Sequence, residues 1–457
     1  MAGEDAFVQN FQTELKPGSV VLVSTGVEIE RLWPAEKISD HLRFDFFIAN
    51  IMKVAIIHPD LGLGGAERLI INIALALQAL KHHVTIYTSY LDPLRCFPEV
   101  HPSKATVPVE VVASALPRSI CGRFHAFLAA ARCTYAAAYI ALCDTADLVI
   151  CDVVAMPMIA LYLRRKPGIF YCHFPDKELF KTLNCDNGGI LQRIYRKAFN
   201  TLDEIGLRCA SKVVCNSMYT RKTFVNTFPH LDTPSVVYPC VAHPTSMTLE
   251  TDQQNLIDTP FFLSINRFER KKNIDLALQA FAHFSQGNRH HSASLVIAGG
   301  YDDRLNENKA YYRDLQRLAR DLGIEKSTHF MQNLSDIQKD WLLRKAIAVL
   351  YTPENEHFGI VPLEAMVRGT PVVATNTGGP TEIIKDGETG FLRAAAPMKF
   401  AEAMSLLVTD EEHKTKMGLA AKQHALKSFS VISLMRNLQS QIDLVVSQPQ
   451  QNPSFVR

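Results

Sequence analysis

From Lys53 onward, short apolar runs alternate with longer segments whose apolar residues recur every three or four positions. Residues 53–58 read as a buried strand, residues 60–65 as a glycine-rich loop, and residues 66–80 as a helix. Within that helix Leu69, Ile70, Ile73, Leu77 and Leu80 keep the spacing of a single apolar face. Residues 84–88, 148–151, 169–173 and 212–216 predict further strands. A second series opens with strand 261–265 and continues with strands 294–298, 328–331, 346–351 and 371–375. Helices are predicted between them at 274–285, 308–322 and 335–345, and after Leu392 the pattern stays helical to about Val446. Strand–helix alternation of this kind builds parallel sheets wrapped by helices. Between the two series, residues 243–259 are polar and aperiodic and read as a linker. The expected organisation is an extension (1–51), a first α/β lobe (52–242), the linker (243–259), a second lobe (260–430), a C-terminal helix (431–446) and a fraying tail (447–457). The first 51 residues show no link to the α/β pattern: either they form a poorly ordered extension, or translation starts at Met52.

A chain of 457 residues exceeds one compact core, which agrees with two lobes. A net charge of +2 supplies no basic field, so nucleic acid is not an expected partner. The ten cysteines form no C-x-x-C pair and no metal-ligand spacing; they read as core residues of a protein in a reducing compartment. The N-terminus lacks the basic start and apolar centre of a signal peptide. The segment nearest to a membrane span, residues 126–142, is interrupted by Arg132.

The chemistry concentrates at strand ends. Residues 355–365 read NEHFGIVPLEA, with Glu356 and Glu364 separated by seven residues. The predicted order is strand, short loop, then a helix opening at Pro362, since proline suits the first helical position. Loop and helix-end N–H groups would welcome an anion, while two carboxylates could hold separate hydroxyl-bearing parts of one ligand. Phosphate plus hydroxyls describes a nucleotide sugar. Taken alone, Glu364 could equally be a helix-capping residue and Glu356 a solvated loop residue. Arg267 and Lys272 follow strand 261–265 and could neutralise a diphosphate, or form part of a solvated charge run. Gly64 and Gly65 lie in a loop after the first strand, where a backbone can approach an anion or simply turn. A dinucleotide fingerprint is not met, because Glu67 replaces its third glycine and no acidic residue ends the strand at Thr88. His173 again follows a strand, as an active-site group or a structural histidine. A second glycine pair, Gly378 and Gly379, precedes a predicted helix in the second lobe.

With these residues in place, the chain from Met52 to about Val446 resembles the retaining GT-B glycosyltransferases built around a Glu-x7-Glu motif, glycosyltransferase family 4. The segments HPDLGLGGAERL, YCHFPD, INRFERKKN, AGGYD and YTPENEHFGIVPLEAM narrow it to the α-1,3/1,6-mannosyltransferases of dolichol-linked oligosaccharide assembly. The resemblance implies two Rossmann-like domains facing a cleft, with the first binding the acceptor and the second GDP-mannose. Glu364 would hold the ribose hydroxyls. Glu356 would hold the transferred mannose, helped by N–H groups of Phe358, Gly359 and Ile360. Arg267 and Lys272 would clamp the diphosphate, Gly64 and Gly65 would cover it, and His173 would face the reacting carbon. It further implies transfer with retention by same-face substitution, no cofactor and no metal. The expected location is the cytosolic face of the endoplasmic reticulum membrane, with other transferases of the pathway as partners. Some relatives carry apolar C-terminal membrane segments. Here attachment is expected through residues 126–163 with Arg164, Arg165 and Lys166 at headgroups, unless that stretch is core. Rival readings are a phosphatidylinositol mannosyltransferase, a UDP-sugar-dependent transferase and a catalytically idle scaffold.

Overall fold

The computed structural model describes residues 50–120, 124–178, 190–241, 257–287 and 292–447. Most of the expected extension, most of the linker and the tail beyond residue 447 lie outside the described residues.

Two parallel sheets form the frame. The first lobe contains β1 (Lys53–His58), β2 (His83–Thr88), β3 (Val109–Val111), β4 (Leu148–Asp152), β5 (Gly168–Cys172), β6 (Lys212–Cys215) and β7 (Ser235–Val236), ordered β3-β2-β1-β4-β5-β6-β7. The second contains β8 (Phe261–Ile265), β9 (Ser294–Gly299), β10 (Thr328–Gln332), β11 (Val349–Tyr351), β12 (Val372–Thr375) and β13 (Phe391–Arg393), ordered β10-β9-β8-β11-β12-β13. Every recorded pairing is parallel, and the central strands are buried on both faces, which is why they read as continuous apolar runs. The order reverses between β1 and β4 in one sheet and between β8 and β11 in the other. A crevice opens at each reversal, at the carboxyl ends of the strands. The candidate residues lie on the loops or opening helical turns beyond strand carboxyl ends.

The strands that escape a reading of the sequence are β3, β7 and β13, each two or three residues long. Runs that short carry no periodicity, and only pairing with a longer neighbour defines them.

Helix α1 (Gly65–Ala79) buries Leu69, Ile70, Ile73 and Leu77 against the first sheet. The segment nearest to a membrane span forms α2 (His125–Cys143), whose Cys133, Ala136, Ala137 and Ile140 pack in the same lobe. Its Arg132 points inward, donating to Leu128 O and reaching Asp60 at 3.5 Å. Helix α3 (Met218–Thr227) is capped by Ser217, and helix α4 (Asp336–Lys345) by a reciprocal box between Ser335 and Gln338.

One expectation needs correction. The helix after β11 opens at Ile360 rather than Pro362: α5 spans Ile360–Met366 with Gly359 as its cap. Pro362 is then the third helical residue, a position whose missing N–H has no partner inside the helix in any case. Glu364 therefore projects from the second turn rather than the first. The C-terminal helix, here α7 after the short α6 (Pro380–Ile383), spans Val431–Ser447 and leaves the second lobe. Its Leu434, Met435, Leu438 and Ile442 join the core of the first lobe beside α1, and Gln439 pairs with His82 at 3.0 Å.

Candidate functional site

The loop from β11 to α5 is shaped by three glycines and a threonine. Gly359 has φ +99°, a left-handed conformation that few other residues adopt, and any Cβ there would lie 3.3 Å from the Tyr351 ring. The second pair, Gly378 and Gly379, supports this loop from below: a Cβ on Gly379 would lie 2.1 Å from Phe358 O, and Gly379 N donates to Glu356 O at 2.7 Å. Thr352 Oγ1 donates to Lys272 O at 2.8 Å, which ties the cationic loop after β8 to the loop after β11.

Two carboxylate–lysine pairs result. Lys272 Nζ donates to Glu356 Oε2 at 2.5 Å. Burial pushes the Glu356 carboxyl up, but the Lys272 charge and hydrogen bond outweigh it and hold the group below its ordinary value. Tyr351, fully buried beneath, has its phenol driven well up by burial and by Glu356 and Glu364 nearby. Lys339 Nζ donates to Glu364 Oε1 at 2.6 Å, while Glu364 Oε2 is buried with no partner. A buried carboxylate oxygen without a donor is costly unless a ligand hydroxyl completes it. Arg267 is 64% exposed and pairs with Glu269 at 2.9 Å, so it is available at the rim rather than locked in the crevice. The Phe358 ring does not face the crevice. It packs in the second lobe's core against Tyr238 and Phe429, leaving only its backbone for a ligand. Ile360 likewise leans on that core and contributes as the first residue of α5.

Across the cleft, the first lobe presents His173. Its Nε2 lies 2.8 Å from Asp152 Oδ2, and the other oxygen, Oδ1, lies 2.8 Å from His58 Nδ1. Asp152 is fully buried at the end of β4, His58 ends β1, and His173 follows β5. Burial raises the Asp152 carboxyl, yet the two histidines outweigh it and hold the group low. Burial lowers His58, yet Asp152, Glu67 and Asp60 lift it above its ordinary value. Gly64 caps α1 with extended backbone, and a Cβ there would sit 2.2 Å from the Glu67 carboxylate, while Gly65 opens to space.

The lobes touch along one edge of the cleft. His357, from the loop carrying Glu356, stacks on Phe174 with ring centroids 3.8 Å apart and planes 5° from parallel. Burial, with Lys272 and Lys271 adding to it against Glu356, pushes the His357 imidazole down to about 4. Ser217 Oγ donates to His357 O at 2.6 Å. Glu382 of α6 accepts from Met218 N at 2.7 Å and Tyr219 N at 2.6 Å, so a second-lobe carboxylate sits on the first turn of a first-lobe helix. Tyr238 OH also donates to Glu382, at 3.0 Å.

Glu356, Glu364 and Lys272 thus share one crevice wall, and His173 stands on the opposing lobe, next in the chain to the stacked Phe174. Sequence reasoning missed His58, Asp152, Lys339, His357 and Glu382. The first two carried a signal, each being a polar residue that closes an apolar strand run. Lys339 and Glu382 carried none, since their partners are 25 and 144 residues or more away.

Comparison with known proteins agrees with this frame. Residues 63–243 match the model described as Glycosyltransferase Family 4, and residues 248–424 that of Glycosyl transferases group 1. The chain is 37% identical to the α-1,3/1,6-mannosyltransferase ALG2 of Dictyostelium discoideum over 85% of its length and 97% of that protein. It is 38% identical to the mouse ALG2 over 83% of its length and 92% of that protein. Among solved structures, a sucrose-phosphate synthase from Thermosynechococcus elongatus superposes with a TM-score of 0.69 at 18% identity, covering 86% of this chain and 99% of that one. The Anabaena protein HepE, solved with UDP and glucose, reaches 0.66 at 20% identity, covering 86% and 100%. Both superpositions carry the two-lobed GT-B architecture.

Proposed function

The chain belongs to the α-1,3/1,6-mannosyltransferase family of GT-B glycosyltransferases, and from that premise we propose that it moves mannose from GDP-mannose to a dolichol-diphosphate-linked Man1GlcNAc2 acceptor. The proposed products carry an α-1,3 and then an α-1,6 mannose, with the α configuration retained.

One observation carries the donor assignment: a satisfied carboxylate and a half-satisfied one lie on a single strand–loop–helix unit beside a buried lysine. Glu364, its Oε2 without a donor, suits the two hydroxyls of a ribose. Glu356 suits hydroxyls of the mannose. Lys272, at 12% exposure, is placed to shift between Glu356 and the diphosphate. As the glycosidic bond breaks, negative charge grows on the leaving phosphate, and a cation already desolvated in the crevice stabilises that charge more than one in water. Arg267 adds charge from the rim, and the N–H groups of Phe358, Gly359 and Ile360 line the loop below. In this reading the diphosphate is met by protein cations and needs neither metal nor cofactor. Gly65 offers the open backbone against which the donor closes. The leaving phosphate takes the acceptor hydroxyl's proton on the same face of the sugar, which preserves the anomeric configuration.

The acceptor lipid places the enzyme at a membrane, in this reading the cytosolic face of the endoplasmic reticulum, beside other transferases of the pathway. Helix α2 supports that surface. It is long and apolar enough to cross a membrane, with a third of it buried in the protein. One face packs in the lobe; the other exposes Phe127, Tyr135, Tyr139 and Leu142, with Phe124 exposed just ahead of the helix and Arg164 and Arg165 exposed nearby.

The test is a transfer assay with a lipid-diphosphate chitobiose bearing one mannose, offered GDP-mannose or UDP-glucose in separate reactions. Sequential addition of two α-mannoses from GDP-mannose alone is expected. Transfer from UDP-glucose, or a β-linked product, would overturn the donor or the retaining assignment.

A further inference from the structure

Asp152 is a fully buried carboxylate with one histidine on each oxygen, and only one of those histidines reaches the cleft. His58 is 3% exposed; His173, with 22% of its side chain exposed, borders the site. The three residues end or follow β1, β4 and β5, neighbouring strands at the order reversal, so the backbone itself fixes their spacing. An ionised carboxylate can only accept hydrogen bonds. Both nitrogens that face Asp152, His58 Nδ1 and His173 Nε2, therefore carry hydrogen. That leaves Nδ1 as the nitrogen of His173 that a ligand can meet, and a neutral ring with hydrogen on Nε2 offers a lone pair there.

We propose that Asp152 and His58 are positioning residues for mannosyl transfer, holding His173 as the Nε2–H tautomer so that Nδ1 accepts a hydrogen bond from a sugar hydroxyl. This rests on the transferase reading above. Asp152 sets the tautomer. His58 compensates the Asp152 charge, which would otherwise be isolated in the protein interior or draw a proton onto His173. Two further buried carboxylates lie in this lobe: burial pushes Asp176, four residues past β5, up to about 7, and Asp203, which accepts from Ala155 N, up to about 6, so both take up protons at higher pH than Asp152 does. Glu67 and Asp60 act on His58, and Asp60 is itself neutralised by Arg118 at 2.8 Å and Arg132 at 3.5 Å. Cys133 and Cys151 lie close to Asp152 as thiols pushed up chiefly by burial, and Cys172, next in the chain to His173, is pushed up by its hydrogen bond with Cys215 and by burial. His357, the charged-or-neutral group facing His173 from the second lobe, stays neutral down to about pH 4. The hydroxyl can belong to the donor mannose or to the acceptor; both offer the same chemistry to Nδ1.

The experiment combines nitrogen NMR with kinetics on the full chain. In wild-type protein carrying ¹⁵N-histidine, the signals lost in His173→Ala identify the ring. Its Nδ1 should show the shift of an unprotonated, pyridine-like nitrogen and its Nε2 that of an N–H. Asp152→Asn, which can donate to Nε2 and favour the opposite tautomer, should lower kcat/KM about 10- to 100-fold, the loss typical of a second-layer partner. His58→Gln should move the acid limb of the pH profile to higher pH, because the uncompensated Asp152 favours imidazolium at His173. A rise in KM for GDP-mannose would assign the hydroxyl to the donor, and a rise in KM for the lipid acceptor would assign it to the acceptor. An N–H signal at Nδ1 in the wild type, or an Asp152→Asn variant with unchanged kcat/KM and pH profile, overturns the proposal. If the Asn variant does not fold, the wild-type shifts decide alone. If the wild type transfers no mannose from GDP-mannose, the functional reading fails, and the nitrogen shifts still judge the tautomer.

Discussion

Lys272 and Glu356 meet at 2.5 Å across two loops of the second lobe, so a residue expected to grip phosphate already neutralises one expected to grip sugar. The ion pair is largely desolvated, with 12% and 24% of the two side chains exposed. It couples folding to function in a way that spacing along the chain does not reveal.

The Lys272→Ala variant should lose kcat by about two orders of magnitude, comparable to removing one stabilising donor from a transition-state charge. It should also lose thermal stability, because Glu356 is left buried without its cation. The double variant Lys272→Ala/Glu356→Gln should recover most of the melting temperature and none of the rate. Linkage supplies a second check. With its pKa depressed by Lys272, Glu356 contributes stability that is present above its unfolded value of 4.5 and lost as pH falls through the lower folded value. Removing Lys272 should abolish that acid-labile contribution in melts recorded across this range. Wild-type turnover in Lys272→Ala would remove the residue from the site.

Glu364→Ala should depress both mannose additions by a similar factor. The variant deletes the carboxylate proposed to hold the nucleotide, before either acceptor hydroxyl is chosen. His173→Ala, altered in the opposite lobe, is expected to change the ratio of the two products. Chromatography of both products with each variant checks this, and loss of one linkage alone in Glu364→Ala would contradict a shared donor site.

Glu382→Ala should loosen the lobes. Its carboxylate covers two N–H groups at the start of α3 and receives the Tyr238 hydroxyl, three bonds made across the lobe boundary. A charge at a helix N-terminus contributes on the order of 1 kcal/mol. The variant should show a larger radius of gyration by small-angle scattering and a raised KM for the donor, with chemistry at saturation little changed. An unaltered scattering curve would show that other contacts hold the lobes.

His357→Gln should flatten the acid dependence of stability. The imidazole is pushed from its ordinary 6.5 to about 4 in the folded protein, so the unfolded chain binds more protons between those values. Stability due to a neutral His357 is complete above pH 6.5, declines as pH falls to about 4, and levels off below. Melting temperatures of the wild type should drop across that window more steeply than those of the variant. Parallel curves would mean that the stacked ring on Phe174 is not the group titrating.

Much of this protein was legible in its sequence because strand and helix periods are local. The apolar runs located both sheets, the polar residues after them marked the crevice ends, and Glu356, Glu364, Lys272 and His173 could be singled out as chemistry at strand ends. The sequence by itself determined two α/β lobes and the residues to look for. Tertiary structure alone decided which of them meet. Glycine capping at Gly359 moved the start of α5 ahead of Pro362, because a left-handed residue ends the loop earlier than proline preference suggests. The return of α7 to the first lobe followed from where an apolar face found burial, which no window of sequence contains. Pairings such as Lys339 with Glu364, Glu382 with α3, and Asp152 with its two histidines join residues remote in the chain. Their geometry depends on strand order, and strand order is set by how whole sheets bury their faces rather than by any local preference.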